Sequence, residues 1–100
     1  MATASLRIAY PKQAQVYGIG TGGTGEFVIL SENDERKGAI IVNEASRPLY
    51  VLFGDALVSS GRYTVLLAPW ATYELSFPPY QGRIVGTWGG PGTLQVTEIF

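Results

Sequence analysis

Thirteen glycines and six prolines are spread along the chain so that few stretches of ten residues lack a helix breaker. Between them lie short runs rich in β-branched and aromatic residues, at 6–10, 15–19, 26–30, 39–43, 49–53, 63–67, 73–77, 83–88 and 93–99. Such residues fit a pleated, half-buried surface, and turn formers bound each run. The runs begin about every 10 residues, the rhythm of a sandwich, jelly roll or small barrel. None alternates with a helix-length segment, which disfavours parallel βαβ architecture. A chain of 100 residues is read as one domain, able to bury about 65% of its unfolded surface. The expectation is an all-β, single-domain antiparallel β-sandwich (jelly-roll or immunoglobulin-like) or small barrel of about 8–9 strands. Residues 1–10 are read as an N-terminal arm.

Alternation assigns faces. Leu94, Val96 and Glu98 share one face of 93–99, while Thr93, Gln95, Thr97 and Ile99 share the other. In 73–77, Tyr73, Leu75 and Phe77 point inward, and Glu74 and Ser76 outward. Ile84, Gly86 and Trp88 share a side, with glycine leaving room to seat a ring. The segment 32–37 has a composition compatible with helix but no apolar face, and reads as a polar hairpin tip.

The surface is under-charged. Seven basic and eight acidic residues give a net charge of −1, and 46% of the chain is hydrophobic. Charges concentrate at Glu32, Asp34, Glu35, Arg36 and Lys37, so the strand faces elsewhere are polar-neutral or aromatic, a candidate for burial against other chains. Scattered single basic residues do not make a nucleic-acid surface. No basic amphipathic helix can be drawn, and no apolar run approaches the about 20 residues of a membrane span. The start, Met-Ala-Thr-Ala-Ser-Leu-Arg, carries no apolar signal region, so secretion is not expected. Absent cysteine excludes disulfides, thiolate metal sites and a cysteine nucleophile, and fits a reducing compartment. Absent histidine removes the usual general base and the commonest metal ligand.

Motifs that suggest chemistry fail on context. Gly18, Gly20 and Gly23 satisfy G-x-G-x-x-G, but a dinucleotide site needs a helix to follow, and 26–30 reads as a strand. Residues 18–25 are therefore taken as a flexible loop. Glu32, Asn33, Asp34 and Glu35 could offer oxygens to a cation, yet EF-hand spacing is not met, and Arg36 and Lys37 offset the charge. This segment reads as a solvated turn. Glu74, Glu98 and Asp55 are the available carboxylates, and no spacing pairs them for glycoside chemistry. Asp55, Ser59 and Ser60 read as turn residues. No catalytic, cofactor or metal site is expected. The aromatics say more. Tyr73, Phe77 and Trp88 fall on inward phases, whereas Trp70 and Tyr80 flank prolines in turns, where a ring can anchor a protein interface or stack on a sugar.

From Asn43 onward the sequence resembles small bacteriophage virion proteins. The matching stretches are Asn43-Glu44-Ala45-Ser46-Arg47-Pro48-Leu49-Tyr50-Val51-Leu52-Phe53-Gly54 and Ser59-Ser60-Gly61-Arg62-Tyr63-Thr64-Val65-Leu66-Leu67-Ala68-Pro69. They continue with Tyr73-Glu74-Leu75 and Tyr80-Gln81-Gly82-Arg83-Ile84-Val85-Gly86-Thr87-Trp88, then Gly92 and Val96-Thr97-Glu98. Just over half the chain carries this resemblance, and the first 40 residues do not. It implies a β-sandwich of the head decoration or cement type on the capsid surface of a virion, made in the host cytoplasm. The implied partner is a major capsid protein, with a homo-oligomer, a trimer favoured, whose strands cover one another's edges. Multivalent attachment would turn weak contacts into strong retention. Leu6, Ile8 and Tyr10 of the arm, with Trp70 and Tyr80, are the candidate protein-interface residues. The alternative is a receptor- or carbohydrate-binding module of a fibre or tail, engaging Trp70 or Trp88.

Overall fold

A computed structural model describes residues 13–21, 25–75 and 78–100. Among these described residues eight strands form: β1 (Ala14–Thr21), β2 (Phe27–Leu30), β3 (Gly38–Asn43), β4 (Leu49–Phe53), β5 (Val65–Leu67), β6 (Thr72–Glu74), β7 (Ile84–Thr87) and β8 (Gly92–Ile99). They form two four-stranded antiparallel sheets in the orders β1-β8-β3-β6 and β2-β7-β4-β5. Chain neighbours mostly lie in opposite sheets, which is jelly-roll connectivity. The all-β sandwich expected from the strand rhythm is the fold observed. The expected strand at 6–10 and the side chains of Ser76 and Phe77 lie outside the described residues.

The core fills the space between the sheets. Ala39, Ile41, Leu94 and Val96 come from one sheet and Leu30, Leu49, Val51, Leu67 and Ile84 from the other, with Trp88 at the end of β7. Phe27 pairs with Gly86 across β2 and β7 and stacks on Trp88 at 4.8 Å. A Cβ on Gly86 would meet Ile29 Cδ1 at 2.8 Å, so glycine here makes room for the inward side chains of the flanking strands β2 and β4 of its own sheet. An extra residue bulges β2 between Val28 and Leu30, and this lets the consecutive Ile29 and Leu30 both turn inward.

The two outer faces differ. Over the β2-containing sheet, the connection from β4 to β5 folds back so that Val58 packs with Leu52 and Val85 in a second small core, flanked by Tyr50. Central strand β7 is consequently buried on both sides. The outer face of the other sheet presents Ala14, Val16, Gly18 and Gly20 of β1, the odd-numbered residues of β8, Ile40 and Val42 of β3, and Thr72 and Glu74 of β6. Glu74 is the one formal charge on those strand positions.

Two sequence expectations are corrected. Gly18 and Gly20 do not belong to a loop; they lie inside β1, paired with Gln95 and Thr93. Large residues at 17 and 19 face inward and alternate with the glycines, so the period-two strand pattern continues through the motif. The charged segment 32–37 is not wholly solvated either, because Arg36 is fully buried.

Candidate functional site

Burying Arg36 requires that its charge and donors be matched. Its Nε donates to Glu98 Oε2 at 2.8 Å, its Nη1 to the carbonyls of Tyr80 (2.7 Å) and Gly82 (3.0 Å), and its Nη2 to the carbonyl of Ser31. Glu98 is on the inward phase of β8, as its alternation with Leu94 and Val96 predicted, and is buried. The pair is brought together by β3–β8 pairing, which sets Lys37 N on Ile99 O at 2.7 Å. One guanidinium thus ties the end of β2, the β6–β7 connection and β8. This is an architectural node, and sequence reasoning missed it. The signal was Glu98 itself, since a carboxylate phased into a core demands a cation.

A second node stands at the other end of β8. Asn43 has no exposed surface. Its Nδ2 donates to the carbonyls of Arg47, Leu67 and Ala68, and its Oδ1 accepts from Ala45 N and from Trp88 Nε1 at 2.9 Å. Its backbone N–H also bonds to Ala71 O at 2.9 Å. These bonds grip both sides of the turn 68–71, which is closed by Ala71 N to Ala68 O at 3.1 Å.

Trp70 occupies the third position of that turn with φ of 63°. It follows Pro69, the arrangement of a turn that calls for glycine or asparagine at this place. A bulky residue in left-handed backbone costs about 1–3 kcal/mol, and it persists only where surroundings impose it. The ring gains little burial in return: Trp70 is 68% exposed. It borders a surface groove of about 530 Å³ shared with Thr21, Glu44, Ser46, Pro91 and Thr93. Tertiary structure therefore holds a large ring out in water beside a mixed polar and apolar recess.

The remaining sequence-predicted residues scatter. Tyr80 is half-exposed at the opposite end of the sandwich from Trp70, stacked on Phe53 at 5.1 Å, with its carbonyl on Arg36. Leu6, Ile8 and Tyr10 lie outside the described residues. Trp88 is 5% exposed and hydrogen-bonded to Asn43, so it is a core residue and offers no stacking platform. Glu74 points outward from the sheet whose inner face carries Glu98, and Asp55 is exposed in the β4–β5 connection; the three carboxylates do not converge. Ser59 Oγ accepts from Gly61 N, the local turn bond expected of it. A cleft of about 580 Å³ opens between β1 and β2, lined by Tyr17, Ile19, Leu30, Asn33 and Glu98 among others. Among the described residues, no group of three or more His, Cys, Asp or Glu is placed to hold a metal ion.

Comparison with known proteins speaks to the fold. No protein-family model matches the chain, and no curated protein matches it in sequence. A solved cupin superfamily protein from Desulfitobacterium hafniense superposes with a TM-score of 0.53, covering 100% of this chain and 89% of that one at 12% identity. At that identity the likeness is one of architecture.

Proposed function

We propose that this chain is a non-enzymatic structural protein of a virion, a decoration subunit that docks on the major capsid protein and stabilises the head shell. The observation that carries the reading is Trp70, an exposed indole held in left-handed backbone by a fully buried asparagine. A strained turn that exposes a large aromatic is stability given up by the free protein. A ring of this type is a common anchor at protein interfaces, and a rigid support lowers the ordering cost of binding. The sparse charge on the outer face of the β1-β8-β3-β6 sheet adds a surface suited to contact. The virion assignment itself rests on the resemblance of residues 43–98 to phage structural proteins.

Capsids lacking the protein, incubated with the wild-type chain or Trp70→Gly, test this reading. Retention of the wild type on sedimented shells and loss of the variant are expected. Equal retention of both refutes docking through Trp70. A second reading, glycan or receptor binding at a fibre, draws support from the hydroxyls and carboxylate of Thr21, Ser46, Thr93 and Glu44 around the same ring. It predicts soluble glycan binding that Trp70→Gly abolishes, with no retention on shells.

A further inference from the structure

Strand β1 lies at the edge of its sheet. Among the described residues it pairs with β8 alone. Natural edge strands are blunted by charge, proline, bulges or short length. Here the strand is AQVYGIGT, eight residues without a charge or a proline, in continuous register with β8.

The register also fixes which backbone groups face that edge. Gln13 and Phe100 exchange both hydrogen bonds, Gln13 N to Phe100 O and Phe100 N to Gln13 O, each at 2.9 Å. In an antiparallel ladder, bonded and non-bonded pairs alternate. Gln15, Tyr17, Ile19 and Thr21 therefore bond to β8, and the N–H and C=O groups of Ala14, Val16, Gly18 and Gly20 point to the open edge. Their side chains lie on the outer face and are small or absent, except for Val16, which is 64% exposed.

We propose that this edge pairs with the same edge of a second copy, antiparallel, about a two-fold axis through Tyr17. In that register Ala14 meets Gly20 of the partner subunit, and Val16 meets Gly18 of the partner subunit. Every outward N–H and C=O of the four edge residues finds a partner. The exposed valine of each copy lies beside a position with no side chain. Shifting the register by two residues in either direction leaves three bonded pairs in place of four, and in one direction also sets valine against valine. The strand carries no charge, so self-pairing meets no like-charge repulsion. The contact is isologous and closes as a dimer. It joins the two outer sheet faces into one continuous face with Glu74 as the strand charge in each copy. None of this depends on what Trp70 docks against.

The full chain is examined by sedimentation velocity at micromolar concentration, beside Val16→Pro. Because Val16 N–H faces the open edge, proline there removes no β1–β8 bond and is tolerated as proline is on edge strands. A dimer for the wild type and a monomer for Val16→Pro, with thermal unfolding of the monomer shifted little, are expected. Geometry is read separately with Tyr17→Cys in this cysteine-free chain. Directly opposed non-bonded residues have Cα atoms about 4.5 Å apart, within disulfide range. Mild oxidation should yield a covalent dimer, and Thr72→Cys on the far edge should not. A wild-type monomer, a three-fold ring, a dimer that survives Val16→Pro, or a dimer that Tyr17→Cys fails to cross-link would each overturn the proposal.

Discussion

Replacing Arg36 by leucine removes a fully buried, multiply bonded cation from the sandwich while leaving its volume roughly filled. Arg36 is fully buried, and the Glu98 side chain is only 8% exposed. Deleting the cation strands a carboxylate in the protein interior, at a cost of about 3–5 kcal/mol. The carbonyls of Tyr80, Gly82 and Ser31 lose charged donors as well, each such bond contributing about 1.5–3 kcal/mol in isolation. These terms overlap, because the same reorganisation relieves several of them, and about 4–7 kcal/mol is the expected sum. Domains of this size have total stabilities of about 5–15 kcal/mol. A drop in melting temperature of at least about 15 °C follows. Calorimetry and urea titration of Arg36→Leu, Arg36→Met, Glu98→Met and the double variant Arg36→Met/Glu98→Met provide the assay. The double variant should be less destabilised than the sum of the two single truncations to Met, since it removes the stranded charge along with its partner. A loss under about 1 kcal/mol for Arg36→Leu would refute the reasoning, because a solvated arginine costs that little to remove.

Trp70→Gly should raise stability by up to about 1 kcal/mol, since glycine adopts positive φ without strain and loses only a largely exposed ring; a thermal melt checks this. Asn43→Leu should cost about 3 kcal/mol or more by orphaning Trp88 Nε1 and the carbonyls of Leu67 and Ala68, read by urea titration with tryptophan fluorescence. Gly86→Ala should cost about 1–3 kcal/mol through overpacking against Ile29, Leu49 and Phe27, read the same way. Deleting residues 1–10 should reduce the number of copies retained on capsids; unchanged occupancy and heat resistance would remove the arm from the docking surface.

Period-two alternation made most of the sandwich legible. Strand β4 spans the same residues that composition delimits, and the inward phase of Leu94, Val96 and Glu98 is the one observed. Alternation assigns a face only within a strand, however. Arg36 precedes β3 and has no phase, so its neighbours in sequence, mostly acidic and exposed, disguised it as part of a solvated tip. In β1 the strand was expected over 15–19, and the glycines hid only its continuation through Gly20 to Thr21. The bulge at Ile29 depends on the partner register and has no local mark. At the candidate site, proline at 69 placed Trp70 in a turn and suggested exposure. The left-handed backbone and the clamp from Asn43 arise from contacts across 24 residues or more and could be read only from the fold.

The proposed role of this under-charged sandwich is that of an assembled shell component. Quantitative mass spectrometry of purified virions tests it most directly, by counting copies of this chain relative to the major capsid protein. A fixed stoichiometric ratio that collapses in virions grown with Trp70→Gly is the predicted result. Absence of the chain from particles, or an occupancy indifferent to Trp70, would contradict it.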